Sequence, residues 1–340
     1  MRKPKQHRFM SIQGLHILQP EPALRVLVLD ISGICNFKCQ YCYGEAESFK
    51  ILCQPLQYGD YEQLLDEAVK AGVQTIWFLG AHENTLSPHY LRLLGAAETR
   101  GLFTVTFSNG AAFGDDVIAK QIFGLTAKKF TESVAVHSGA SVVIKRDSQN
   151  PAIQSALASN DHATVQIETA IHNIQHTALW SPGVNGLPRF GLNSVLTTAN
   201  YADIADVFRF CLKNKLAYFC DTLLISGAAT DSLAPTKAQT QEALAKIDLA
   251  VNDYGFSISP EQIVNFYDEE CVLFDNYLFI NHDGGVLPCA GFPDTHDRLG
   301  HISDGLSVLW ARKMQMVTAY HQCAGCTKCP CRTHLEDGLI

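Results

Sequence analysis

Six times along the chain, a short run of valine, leucine, isoleucine and phenylalanine gives way to a longer amphipathic stretch. The runs are Arg25 to Ser32 ("RVLVLDIS"), Thr75 to Leu79 ("TIWFL"), Phe103 to Phe107 ("FTVTF"), Ser141 to Lys145 ("SVVIK"), Arg189 to Thr197 ("RFGLNSVLT") and Ala217 to Ile225 ("AYFCDTLLI"). Near-continuous apolar runs suit strands covered on both faces, as in a parallel sheet. The stretches between them carry helix signals. In "GDYEQLLDEAVKAG", Asp60 reads as the N-cap with Gln63 as its capping-box partner. Tyr61, Leu64, Leu65, Ala68 and Val69 share one face, and Gly72 ends the helix. "SPHYLRLLGAAETRG" places Pro88 in a first turn. Further helices are predicted over Asp115 to Phe123, Thr126 to His137, about 151–179 and "YADIADVFRFCLKN". This alternation predicts an α/β fold with a parallel sheet, open or curled as a partial barrel.

The pattern breaks after about residue 260. There "NYLFINHDGGVLPC" predicts a hairpin turning at Asp283-Gly284-Gly285, and a short helix follows near Leu306 to Thr318. The expected organisation is a barrel domain over 1–235, a linking helix in 236–259 and a small cysteine-rich α+β module over 260–340. Formal charge is −8, from 26 basic against 34 acidic residues, so no global basic field favours nucleic acid. The basic start "MRKPKQHR" is not followed by the apolar core of a signal peptide, and no run approaches a membrane span. The expected location is the cytoplasm, with neither nucleic acid nor membrane as a partner.

Twelve cysteines in a reduced compartment are not a disulfide framework. They also cluster. Cys35, Cys39 and Cys42 form one group, and Cys271, Cys289, Cys323, Cys326, Cys329 and Cys331 a second; Cys53, Cys211 and Cys220 stand apart. Clustering at ligand spacing points to metal. The first group, "CNFKCQYCY", sits on the loop after the first predicted strand, and such loops gather at the active-site face of a parallel barrel. Three thiolates on a [4Fe–4S] cluster leave one iron without a protein ligand, the usual sign of catalysis. The alternatives are a redox motif, or a structural zinc site completed by one of the 13 histidines.

With Tyr41 just before its third cysteine, "CNFKCQYCY" resembles the cluster loop of the radical S-adenosylmethionine superfamily. The resemblance implies a partial (β/α)6 TIM-like barrel and a [4Fe–4S] cluster whose open iron chelates the amino and carboxylate groups of S-adenosylmethionine. It implies one-electron cleavage of the sulfonium to a 5′-deoxyadenosyl radical, which removes a hydrogen atom from substrate. "FLGAHENTL" after strand two resembles the family's Gly-Gly-Glu-Pro segment, which holds the methionine amine. Gly80, Ala81 and Glu83 match it, while His82 and Asn84 depart from it. "FSNG" after strand three resembles the Thr-Asn-Gly segment near the ligand and nominates Ser108 and Asn109. Tyr41 resembles the residue that packs on the adenine. Lys145, Arg146 and Ser148 after strand four, and Asn193 on strand five, are placed to face cofactor or substrate. A solvated or capping carboxylate is the plainer reading of Glu83, and an Asn-Gly turn that of Asn109.

The second cysteine group resembles the auxiliary-cluster module of the same superfamily, called SPASM in its long form and twitch in its short form. The C-x12-G-x4-C start matches through Cys271, Gly284 and Cys289. The C-x2-C-x2-C-x-C end departs from the long form, which spaces its later cysteines more widely. Six cysteines cannot fill two four-cysteine clusters, so one auxiliary [4Fe–4S] cluster with four of the six as ligands is expected. Cys271 with Cys289 comes first and Cys323 with Cys326 next. Cys329 and Cys331 are alternatives, or partners in a three-ligand second cluster. A zinc ribbon is the other reading of this spacing.

Among the isolated cysteines, Cys211 reads as core. Cys220 and Cys53 are candidates to return a hydrogen atom to a substrate radical, as a cysteine does in some radical epimerases. Asp221 is placed to bind a polar substrate or take a proton, or to pair at the sheet end. His172 and His176 lie one helical turn apart and read as exposed helix residues. About 24 residues precede strand one, too few for a leader-peptide-binding domain, which favours a small polar substrate such as a sugar, aminoglycoside or nucleoside-like intermediate. The electron donor expected is a flavodoxin or ferredoxin. Maturation of a ribosomal peptide is the alternative, and a non-catalytic zinc or iron–sulfur binding protein a further one.

Overall fold

The computed structural model describes residues 11–19, 21–45, 52–256, 263–265, 274–291 and 298–322. All six expected strands form: β1 (Val26–Leu29), β2 (Thr75–Phe78), β3 (Phe103–Ser108), β4 (Ala140–Lys145), β5 (Phe190–Leu196) and β6 (Ala217–Thr222). They pair in sequence order and in parallel, in register from Val26 opposite Thr75 to Leu196 opposite Thr222. Each parallel step is bridged by helix. These are α1 (Tyr58–Lys70), α2 (Tyr90–Thr99), the short α3 (Ala111–Gly114), α4 (Asp116–Phe123), α5 (Ala127–Ala135), α6 (Pro151–Ala158), α7 (Ala163–Gln175) and α8 (Ile204–Asn214). Among the described residues the sheet does not close, which gives an open partial barrel of α/β type.

Helix α1 begins one turn earlier than its cap signal suggests. Asp60 is its third residue rather than its N-cap, and its carboxylate accepts from the backbone N–H of Gln57 at 2.7 Å. The helical stretch expected over about 151–179 forms as two helices. Ser159 adopts a left-handed conformation, φ 47°, which ends α6 and lets α7 start afresh.

The chain beyond the linking helix α9 (Lys237–Asp253) is woven into the same sheet. On one edge, β7 (Val264–Asn265) pairs in parallel with β6. On the other, β8 (Tyr277–Ile280) pairs in parallel with β1 along its whole length, Val26 opposite Tyr277. A hairpin then carries β8 into β9 (Gly285–Leu287), and β10 (Gly300–His301) completes the edge. Helix α10 (Leu306–Gln322) follows. The hairpin turn is closed by Gly284 N–H donating to Asn281 C=O at 2.9 Å, one residue ahead of the expected centre.

Alternation along the strands sorts the core into two layers. Leu27, Leu29, Ile76, Phe78, Val142, Ile144, Leu192, Tyr218 and Cys220 pack under the helices. Val26, Val28, Trp77, Val105, Val143, Phe219, Tyr277 and Phe279 line the other, inner face. Among the described residues, no helix is long and apolar enough to cross a membrane.

Candidate active site

Strand β1 is only four residues long, so the chain leaves it early and the loop that follows carries the three thiols over the carboxyl ends of the neighbouring strands. That loop is pinned at several points. Gln40 N–H donates to Leu157 C=O at 3.0 Å and Lys38 N–H to Ala158 C=O at 3.3 Å, which ties it to α6. Tyr43 O–H donates to Gly80 C=O at 2.9 Å, which ties it to the loop after β2. Ala228 N–H donates to Cys42 C=O at 2.9 Å, which ties it to the loop after β6. Gly227 sits in that last contact with φ +63°, and a Cβ there would come within 2.5 Å of the Cys42 carbonyl oxygen. Gly227→Ala is therefore expected to push the thiol loop outward, lowering stability by about 1–3 kcal/mol together with iron uptake. Unchanged melting temperature and iron content would show that the loop yields freely.

The thiols meet N–H groups. Phe37 N–H donates to Cys35 Sγ and Gly44 N–H to Cys42 Sγ, both at 3.4 Å. Asn109 Nδ2 lies 3.7 Å from Cys35 Sγ. Such donors favour thiolate sulfur and tune a cluster bound through it. The surroundings otherwise oppose ionisation. Burial, then the Glu83 carboxylate, pushes Cys35 up to about 12. Burial, then Asp147, pushes Cys39 up to about 12, and burial raises Cys42. Without a cationic centre the thiols stay protonated, so any metal must displace three protons on loading. A donor set of three soft sulfurs, supplied with N–H donors and with the Lys145 ammonium acting on Cys39 and Cys42, fits an iron–sulfur cluster.

Glu83, 3 % exposed, organises the next layer. Its Oε1 accepts from Thr85 N–H at 3.0 Å, Thr85 O–H at 2.6 Å and Ser108 O–H at 2.9 Å. Its Oε2 accepts from Asn109 N–H at 2.7 Å. Burial lifts its pKa above the usual carboxylate value, and these four bonds oppose the lift. Oε1 is saturated, whereas Oε2 keeps acceptor capacity. The expected Asn-Gly turn is also present: Gly110 N–H donates to Ser108 Oγ and Ala111 N–H to Asn109 Oδ1, both at 2.9 Å. Asn109 Nδ2 donates to Asn36 Oδ1 at 2.8 Å, and Asn36 Nδ2 to Gln166 Oε1 at 3.0 Å. Gly80 and Ala81 flank buried Asp30, whose Oδ2 accepts from Ala81 N–H at 3.1 Å and pairs with His82 Nδ1 at 2.7 Å. Burial lowers the His82 pKa, but the bond and charge of Asp30 outweigh it and the net shift is upward.

Tyr41 lies in a small apolar cluster with Leu157, Leu223 and Ala229, and its hydroxyl donates to buried Asp147. Lys145 Nζ stands 4.8 Å from the Tyr41 ring centre, 3.3 Å from Asp147 and 3.1 Å from Asn193 Oδ1. Asn193 Nδ2 in turn donates to Asp221 Oδ2 at 3.0 Å. Lys145, Asn193 and Asp221 thus join the ends of β4, β5 and β6 in one polar chain.

Four expected site residues lie elsewhere. Arg146 turns toward the helices, with its guanidinium 2.7 Å from Glu168 of α7, and Ser148 O–H donates to Asp203 at 2.5 Å. Cys220, fully buried, packs in the helix-side layer with Tyr218, on the strand face opposite Phe219. Its thiol therefore points away from the inner face. Cys53 is exposed, next to Leu52, whose N–H donates to Asp283 at 2.8 Å. Cys211 is buried core, as expected. Cys289 packs partly buried against the inner-face layer, where Tyr277 O–H donates to its sulfur at 2.8 Å. Cys271, Cys323, Cys326, Cys329 and Cys331 lie outside the described residues. Gln166, Asp147 and His282 were not singled out in the sequence.

The open parallel barrel with three thiols on the loop after its first strand shares its fold with solved structures that hold S-adenosylmethionine. Streptococcus suis SuiB bound to S-adenosylmethionine superposes with TM-score 0.66 and 17 % identity, over 96 % of this chain and 77 % of that one. The anSMEcpe structure with bound S-adenosylmethionine gives TM-score 0.61 and 15 % identity, over 90 % and 88 %. Among curated proteins, the Fe-coproporphyrin III synthase of Methanosarcina barkeri is 22 % identical over 235 residues, 69 % of this chain. The chain spans about half the length of that relative, 53 %. No protein-family model matches.

Proposed function

We propose that the protein is a radical S-adenosylmethionine enzyme. The observation that carries this is the placement of Cys35 beside Asn109 and Glu83, on the loop that also bears Cys39 and Cys42, at the strand ends of a barrel with that fold. When bound, a [4Fe–4S] cluster would supply one electron to S-adenosylmethionine and so generate the 5′-deoxyadenosyl radical that takes a hydrogen atom from substrate. Cys35, Cys39 and Cys42 would hold that cluster. Glu83 Oε2, with Gly80 and Ala81, would receive the methionine amine. Ser108 and Asn109 fix the Glu83 carboxylate from the neighbouring strand. Tyr41 would offer its ring to the adenine, with Asp147 fixing its hydroxyl.

The substrate we favour is a small polar molecule. The Lys145–Asn193–Asp221 chain offers an ammonium, an amide and a carboxylate within one set of strand ends, suited to hydroxyl and amino groups. Cys289, on the inner-face side, would ligate an auxiliary cluster with partners from the C-terminal cysteines. A flavodoxin or ferredoxin would then deliver the electrons. Cys289→Ala should lower substrate conversion more than uncoupled cofactor cleavage. Equal loss of both would instead assign Cys289 to folding.

A peptide substrate is the second reading. It is favoured by the likeness to SuiB, which has also been solved bound to precursor peptide SuiA, at TM-score 0.55 and 19 % identity to this chain. The two readings separate by which class of compound stimulates 5′-deoxyadenosine formation: amino sugars and nucleosides, or a precursor peptide. If dithionite-reduced, iron-loaded protein forms no 5′-deoxyadenosine under any of these conditions, the enzyme reading fails.

A further inference from the structure

Strands β1, β2 and β8 end side by side, and three side chains meet there that have no part in the thiol loop or in the Glu83 network. Asp30 directly follows β1, His82 lies after β2, and His282 lies after β8. One ligand atom from each lies within 4.8 Å of the other two. Asp30 Oδ2 and His82 Nδ1 are 2.7 Å apart, and the two imidazoles stand edge to face with centres 5.6 Å apart. Asp30 is 1 % exposed and His282 5 %. Among the described residues no lysine or arginine pairs with Asp30, so its compensation comes from backbone N–H groups and the His82 ring alone, and a carboxylate taken out of water is well served by a cation.

The three groups are held from outside. Ser32 N–H and Ala81 N–H donate to Asp30 at 3.3 and 3.1 Å, and Leu56 N–H donates to His282 C=O at 2.8 Å. Gly33, at φ +72°, makes room for the His282 ring; a Cβ there would lie 2.6 Å from its Nε2. The cluster loop, the segment after β2 and the C-terminal hairpin therefore converge on one point. His82 is also a position where the sequence leaves the family's Gly-Gly-Glu-Pro pattern.

We propose that Asp30, His82 and His282 bind one divalent transition-metal ion of the zinc type, separate from any iron–sulfur cluster. Two imidazoles and a carboxylate form the borderline nitrogen and oxygen donor set that such ions take. Binding takes the place of the hydrogen bond between His82 Nδ1 and Asp30: a neutral imidazole frees Nδ1 by carrying its proton on Nε2, and an imidazolium releases one proton to solvent; nothing is oxidised or reduced. The ion supplies Asp30 with its counter-charge and ties the β8–β9 hairpin to the barrel beside the thiol loop. Three protein ligands leave a further position for water or a ligand.

The test uses the full chain, loaded anaerobically with iron and sulfide, freed of loose metal with a chelator and then titrated with zinc or cobalt(II). The wild type should retain about one zinc per chain beyond its iron. His82→Ala and His282→Ala should each weaken zinc binding by at least roughly tenfold at unchanged iron content and circular dichroism. Cobalt in the wild type should show the ligand-field bands of a nitrogen and oxygen site without thiolate charge transfer, a readout that holds even if a variant fails to fold. No retained zinc, equal zinc affinity in both folded variants, or a thiolate-type cobalt spectrum would overturn the proposal.

Discussion

Changing Cys35, Cys39 and Cys42 together to alanine abolishes reductant-dependent 5′-deoxyadenosine formation and removes about four irons per chain, while iron held by the C-terminal cysteines stays. The expectation follows from the loop's construction. Its backbone is fastened to α6 and to Ala228, and its Tyr43 hydroxyl to Gly80, by bonds that do not involve the thiols. The substitution therefore removes ligands rather than the loop's position. Parallel iron analysis and chromatography of the reaction check both halves. A triple variant that still cleaves S-adenosylmethionine would remove the chemistry from this loop altogether.

Glu83→Ala is expected to destabilise the fold by roughly 3 kcal/mol or more, because each buried donor stranded without its acceptor costs about 1–3 kcal/mol. The stranded donors are the N–H groups of Thr85 and Asn109, together with the Ser108 and Thr85 hydroxyls. Glu83→Gln should recover only part of the loss. If its oxygen replaces Oε1, its NH2 faces the Asn109 N–H, donor against donor. Iron retention should fall in both variants, since Asn109 also reaches Cys35. Denaturant unfolding checks the stability, and a loss below about 1 kcal/mol for the alanine variant would contradict this network.

The six strands were legible because buried parallel strands are apolar on both faces and stand out from amphipathic helices. The pairing of β8 with β1 was not legible. A short apolar strand carries no mark of the sheet edge it joins, and register along an apolar strand is weakly specified by pattern. The thiol triplet and the Glu83 and Asn109 segments were readable as local motifs. Their mutual hydrogen bonds were not, since they join residues 25 or more positions apart. Gln166 did carry a signal. It shares the apolar stripe of α7 with Ala163, Ile167 and Ala170, and a polar side chain there must find a buried partner. The side to which Cys220 points turns on one step of strand alternation. Phe219 faces the inner layer, so its neighbour faces the helices. Asp30, His82 and His282 stand 52 and 200 positions apart, and only the parallel pairing of β1 with both β2 and β8 brings them together.

The most direct measurement is anaerobic reconstitution with iron and sulfide, followed by iron counting and reduction in the presence of S-adenosylmethionine. The account predicts about eight irons per chain, in two [4Fe–4S] clusters, and 5′-deoxyadenosine that appears only with reductant. Thiol sites that take up zinc instead of iron, with no cleavage of the cofactor, would contradict it and leave a metal-stabilised binding protein.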